Sequence, residues 1–214
     1  MEVKKGDRMK VIAGIPAYNN RRCIGGLVLG TEEYVDETIV VDCGSTDDTV
    51  KMAEDFGATV IKQEDVGEGV AIRKLIDEAK KRDAEILVLI EANCEYNSDD
   101  IPKVLAPIVN AEADFVIGSR FVGDEKKENR KKMSFEGVFW GRVLNFAANL
   151  GAKVKVSDSQ SGFFALSRHA MDMVRVEAEG DIVKSEMVIK AVNDGVRMGE
   201  VGIGILEPER VMGC

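Results

Sequence analysis

Short apolar runs rich in β-branched residues alternate, through the first half of the chain, with segments of helical spacing. "MKVIAGIPA" is closed by Pro16 and "ETIVVDCG" by Gly44; "ATVIKQ", "EILVLIEA" and "DFVIGSR" follow. Runs this short and this continuously apolar read as strands buried on both faces. Asn19 or Asn20 is placed to cap a helix through "RRCIGGLVLGTEEY", and Ser45 or Thr46 one through "DDTVKMAEDFG". "GEGVAIRKLIDEAKKR" has apolar residues at 70, 72, 75, 76 and 79, a helical period. Asn97 or Ser98 opens "DDIPKVLAPIVNA". Repeated β-α units of this length predict an α/β fold with a mainly parallel sheet sandwiched by helices. Ligands of such sheets bind at the carboxyl ends of the strands. That edge would gather Pro16 with Tyr18, Asp42 with Cys43, Glu91 with Asn93, and Arg120.

The second half is less regular. "GDEKKENRKKM" (123–133) is polar and charged, and predicts a mobile loop. "SFEGVFWGRVLNFAANLG" is helix-like, "KVKVSDSQSGFFALSR" reads as strand, loop and strand, and "KSEMVIKAVNDG" as a helix closed by Gly195. "VRMGEVGIGILEPER" is a last extended segment. Without a repeat or a composition shift, residues 1–214 read as one domain, with 1–9 as an N-terminal extension.

Net charge is -9, which argues against a nucleic-acid binder, although cations can still cluster locally on an anionic ligand. No apolar run is long enough to span a bilayer and no signal peptide is visible, so a cytoplasmic protein is expected. The four cysteines form no C-x-x-C pair, so neither a zinc site nor a disulfide framework is signalled. Cys43 and Cys94 read as small buried apolar residues near the strand ends.

The fourth strand is the most informative. "ILVLI" runs directly into Glu91, Asn93 and Glu95, three oxygen-bearing side chains at the ligand-binding edge. The ordered blocks "IPAYNN", "VVDCGSTDDT", "GEGVAIR", "IEANCE", "FVIGSR" and "DSQSGFFALSR" then become specific together. Their order and spacing resemble family 2 glycosyltransferases of the GT-A (nucleotide-diphospho-sugar transferase) fold. Within that family they are most similar to polyprenyl-phosphate sugar transferases such as dolichol-phosphate mannose synthases. The resemblance covers roughly residues 10–213.

The resemblance implies roles residue by residue. Pro16, Ala17 and Tyr18 would line the nucleotide base and ribose, beside Asp42, Cys43, Arg73, Glu91 and Ala92. Glu91 and Asn93 stand at the family's Asp-x-Asp positions and Glu95 at the following Gln. This set would hold Mg²⁺ or Mn²⁺, which take oxygen ligands. Arg120, Arg142 and Arg210 would hold phosphate, since guanidinium pairs with it in bidentate fashion. Asp158 would be the nearest base for a hydroxyl acceptor. Gln160, Ser161 and Gly162 fit the acceptor-side motif. The expected partners are a nucleotide-diphosphate sugar and a polyprenyl phosphate at the inner membrane surface, reached peripherally. The loop at 123–133 would be acceptor-side, its five cations facing solvent or a lipid phosphate.

The departures from the family pattern matter as well. The family's metal triplet is Asp, Asp, Gln, against Glu, Asn, Glu here, so a working and a weakened metal site both stay open. Asn20 and Arg21 replace two Glu residues, and Glu68 replaces a frequent Lys. A non-catalytic nucleotide- or partner-binding domain is the alternative. A nucleotidyltransferase is disfavoured, because "GIPAYNN" carries no Gly-rich, Lys-bearing phosphate loop.

Overall fold

The computed structural model describes residues 9–63, 67–132 and 156–206. Seven strands form one sheet: β1 (Val11–Ala17), β2 (Glu37–Asp42), β3 (Thr59–Lys62), β4 (Ile86–Ile90), β5 (Phe115–Ser119), β6 (Phe163–Ser167) and β7 (Met198–Gly202). Their order is β3-β2-β1-β4-β6-β5-β7. All pairs are parallel except those made by β6, which runs antiparallel between β4 and β5. The helices are α1 (Ile24–Thr31), α2 (Thr49–Asp55), α3 (Glu68–Lys81), α4 (Ile101–Val109), α5 (Lys126–Lys132), α6 (Arg168–Met173) and α7 (Val183–Asn193).

Alternation along the strands builds a core on each face of the sheet. Ile12, Leu87 and Leu89 point to one side, where they pack with Ile72 and Leu75 of α3 and Met187 and Val188 of α7. Ala13, Ile15, Val88 and Ile90 point to the other, against Ile24 and Val28 of α1 and Ile101 and Val104 of α4. Each of these large side chains, taken fully out of water, contributes about 1.5–3 kcal/mol before the entropy of ordering is set against it.

The topology decides where a ligand can enter. After β3 the chain returns through α3 across β2 and β1 to place β4 on the far side of β1. The β1-to-β2 connection through α1 and the β3-to-β4 connection through α3 pass on opposite faces of the sheet, and a crevice opens between the carboxyl ends of β1 and β4. Antiparallel β6 brings its first residues, not its last, to the same edge: Phe163 pairs with Ile90.

Three local expectations are revised. The first helix begins at Ile24, later than expected, because Asn20 spends its side chain on a turn, accepting from Tyr18 N at 2.7 Å. The charged run expected as a loop forms α5 over Lys126–Lys132. Its anchor is Asn129, which is buried. Asn129 Nδ2 donates to the carbonyls of Ile203 (2.7 Å) and Arg120 (3.1 Å), and its Oδ1 accepts from Ile205 N at 3.0 Å. One polar side chain thus does the burying that the composition did not announce. Finally, Cys23 and Cys94 form a disulfide, with Cα atoms 5.2 Å apart, in the range such bonds require. Residue spacing carried no hint of it, because the pairing is made by the fold.

Candidate active site

A cleft of about 390 Å³ lies at the crevice between β1 and β4. Pro16, Ala17 and Tyr18 line it from the end of β1, Cys43 from the end of β2, and Glu91, Ala92 and Asn93 from the end of β4. These are seven of the residues expected to meet the nucleotide or metal. Asn20, Gly67, Glu68 and Lys184 complete the lining.

Asp42 is at this edge but turned into the fold. It is buried, and its carboxylate accepts from Gly44 N and Ser45 N, each at 3.2 Å. It shapes the turn after β2, where Gly44 takes a φ of +91° that favours glycine. Arg73 is not brought to the cleft. It donates to the Val176 carbonyl and lines a separate concavity with Asp77, Lys80 and Asp172. Its helical position turns it away from the α3 N-terminus that carries Glu68. Arg142 and Arg210 lie outside the described residues, and so does Met133 at the end of the expected loop.

A second group adjoins the first. Arg120 Nε donates to Asp158 Oδ2 at 2.8 Å, its Nη2 to Oδ1 at 2.9 Å, and its backbone N–H to Oδ2 at 3.0 Å. Asp158 is fully buried, and the bidentate hydrogen bonds hold the guanidinium cationic. Arg120 Nη1 also lies 3.8 Å from Glu95 Oε2, linking this group to the β4 loop. Ser161 is buried and donates to the Gly118 carbonyl at 2.6 Å. Gln160 Nε2 donates to Ser185 Oγ on α7. Gly162 N donates to Tyr96 Oη at 2.7 Å, and the Gly162 carbonyl accepts from Glu91 N at 3.0 Å. A Cβ on Gly162 would strike the Glu91 carboxyl group, so any larger residue here would have to displace that side chain. Burial pushes the Tyr96 hydroxyl up to about 12, so it remains protonated.

Lys184 is the site residue that sequence reasoning missed. It sits in the first turn of α7, and its side chain is only 15% exposed. The ammonium forms an ion pair with Glu91 Oε1 and lies 3.5 Å from Glu68 Oε1. Burial pulls the Lys184 pKa down, but Glu91 and Glu68 outweigh it and the ammonium is held charged. Burial first, and then the neighbouring Glu91 carboxylate, push the Glu68 carboxyl up to about 7. The one sequence signal was Glu68 itself: an acid where a Lys was expected implies a cation supplied from elsewhere.

The three residues expected to ligate a metal do not fit one as folded. Glu91 Oε1 is taken by Lys184, and Glu91 Oε2 accepts from Asn93 Nδ2 at 3.1 Å. Asn93 Oδ1 accepts from Glu95 N at 3.0 Å. Among the described residues, no group of three or more His, Cys, Asp or Glu is arranged to hold a metal ion. A divalent cation drawn to Glu91 would have to face or displace the Lys184 ammonium already paired with that carboxylate.

The structure aligns with that of glucosyl-3-phosphoglycerate synthase from Mycobacterium tuberculosis in complex with Mn²⁺, uridine-diphosphate and phosphoglyceric acid, at a TM-score of 0.73 and 20% identity. The alignment covers 96% of this chain and 74% of that one. The sheet order and the cleft at its switch point are those of a GT-A glycosyltransferase fold. The family described as Glycosyl transferase family 2 matches residues 13–174, and the chain belongs to it. It is 30% identical to the UDP-N-acetylglucosamine--dolichyl-phosphate N-acetylglucosaminyltransferase of Methanococcus voltae, over 92% of this chain and 86% of that protein. It is 28% identical to the dolichol-phosphate mannosyltransferase of Pyrococcus furiosus, over 85% of this chain and 53% of that protein.

Proposed function

We propose that this glycosyltransferase moves a sugar from a nucleotide-diphosphate sugar to a polyprenyl phosphate. The observation that carries the reading is the pairing of two adjoining groups at one sheet edge. One is an open cleft with the Lys184 ammonium in its lining. The other is an Arg120–Asp158 pair whose carboxylate is buried, with both oxygens already accepting from Arg120. A hydroxyl acceptor needs a general base, whereas a phosphate acceptor is already anionic and needs only positioning. The lipid-phosphate acceptors named for the two relatives support the same choice.

In this reading the nucleotide lies along Pro16–Tyr18 and Cys43. Its diphosphate reaches towards Lys184 and the β4 loop. An acceptor phosphate oxygen forms the new bond to the anomeric carbon from the face opposite the diphosphate. The bond from that carbon to the diphosphate breaks, and the nucleoside diphosphate leaves with the electron pair. No proton has to move. Arg120 lies between the cleft and the acceptor-side segment 158–162, and steadies the Glu95 end of the β4 loop through its 3.8 Å contact. Among the described residues no helix is long and apolar enough to cross a membrane.

The test is transfer of labelled sugar from UDP-N-acetylglucosamine, UDP-glucose or GDP-mannose, with dolichyl phosphate, dolichol or 3-phosphoglycerate as acceptor, read in the organic phase for lipid products and by anion-exchange chromatography of the aqueous phase for a glycosylated phosphoglycerate. Labelled lipid formed only with dolichyl phosphate supports the reading. Product with phosphoglycerate alone replaces the acceptor. Nucleotide binding without any transfer would favour a non-catalytic binding domain.

A further inference from the structure

The Lys184 ammonium lines the cleft where a diphosphate would lie. Lys184 reaches it from α7, Glu68 from the start of α3 and Glu91 from the end of β4. Three elements far apart in sequence thus converge on one ammonium. Lysines this buried are rare unless paired, and this one has a carboxylate partner on either side. Its helix is fixed by Val183, Met187 and Val188, all in the core. Nothing about the arrangement is a loose surface contact.

An ammonium has three N–H donors. Glu91 takes one and Glu68 stands 3.5 Å away, so donor capacity is left for a phosphate oxygen in the cleft that Lys184 lines. Glu91 is meanwhile held from behind. Its backbone N–H donates to the Gly162 carbonyl, and its side chain packs where a Gly162 Cβ would be. The carboxylate is therefore spent on orienting the lysine. The amide of Asn93 donates to Glu91 and, at 3.5 Å, to Glu95, so it faces both acids with its nitrogen rather than with a ligating oxygen.

We propose that Lys184 is the cation of this site, and that its ammonium contacts the nucleotide's diphosphate and supports the leaving group in place of a divalent metal. This rests on the nucleotide-sugar reading given above. Glu68 and Glu91 are positioning residues: they hold the ammonium charged and aim it.

The experiment is titration calorimetry of the purified protein with UDP and with GDP, first in EDTA and then in MnCl₂. The unmutated protein is expected to bind its preferred nucleotide with the same Kd, within about twofold, in both buffers. Lys184→Met should lose at least tenfold in EDTA, and Lys184→Arg should retain most of the affinity. Circular dichroism checks that each variant is folded. Manganese electron paramagnetic resonance without nucleotide should show no bound Mn²⁺ in the unmutated protein. A tenfold or greater gain on adding MnCl₂ to the unmutated protein would overturn the proposal while leaving the nucleotide-sugar reading intact. So would Lys184→Met binding as the unmutated protein does in EDTA. Failure of both UDP and GDP to bind in either buffer would instead sink the underlying reading, and the proposal with it.

Discussion

Arg120 and Asp158 hold each other through two parallel hydrogen bonds of 2.8 and 2.9 Å, with the carboxylate wholly buried. Removing one partner leaves the other charged and largely buried. Asp158→Ala is therefore expected to cost about 3–5 kcal/mol of stability. Asp158→Asn should also destabilise, since an amide cannot accept from both guanidinium nitrogens. Urea unfolding followed by circular dichroism measures both. A residue that served only as a base would give an inactive Asp158→Asn with unaltered unfolding, and that result would refute the structural role.

Gly162 and Glu91 share one small volume. Gly162→Ala should push the Glu91 carboxylate aside and with it the hold on Lys184. Calorimetry in EDTA should show nucleotide affinity falling by about tenfold, the loss of roughly one charge-assisted hydrogen bond. Unchanged affinity would mean that the position of Glu91 does not govern the cleft.

Asn129 satisfies three backbone groups at once, from Arg120, Ile203 and Ile205. Asn129→Ala leaves buried polar atoms unpaired and should cost about 3 kcal/mol. Asn129→Asp should be no milder, because the two carbonyls would face an acceptor. A thermal melt shift of less than a degree for both variants would contradict the anchoring of α5.

Burial, and then the charges of Asp42 and Glu68, push the Cys43 thiol up to about 11. The thiolate is the reactive form. At pH 8 only about one thiol in a thousand is ionised, against roughly a quarter for an ordinary cysteine. Alkylation at Cys43, followed by peptide mass spectrometry, should be slow at pH 8 and rise about tenfold per pH unit towards 11. Glu68→Gln removes one of the charges and should speed it at fixed pH. Fast labelling at pH 8 in the folded protein would disprove the shielding.

Much of this site is written locally and was legible. The β-α alternation predicts the sheet, and strand ends predict which residues share an edge: Pro16, Cys43 and Glu91 do meet. What could not be read was made by long-range contact. Lys184 meets Glu91 across 93 positions of chain (184 − 91), from a helix whose own pattern is only that of a packed surface. Asn129 stands inside a highly charged run, where a solvated face is the ordinary expectation. Arg73 shares its motif with the cleft residues, but its helical phase sends it elsewhere. Position in a motif settles the element, and packing settles which way a side chain turns.

The Cys23–Cys94 bond has a further consequence for connectivity. It closes a covalent ring that contains α1, β2, α2, β3, α3 and β4. β1 lies outside the ring in sequence, yet in the sheet it is flanked on both sides by strands belonging to the ring. A protease nick anywhere between residues 24 and 93 therefore opens the ring without dividing the molecule. The nicked protein should migrate as one band on a denaturing gel and separate into two only after a thiol is added.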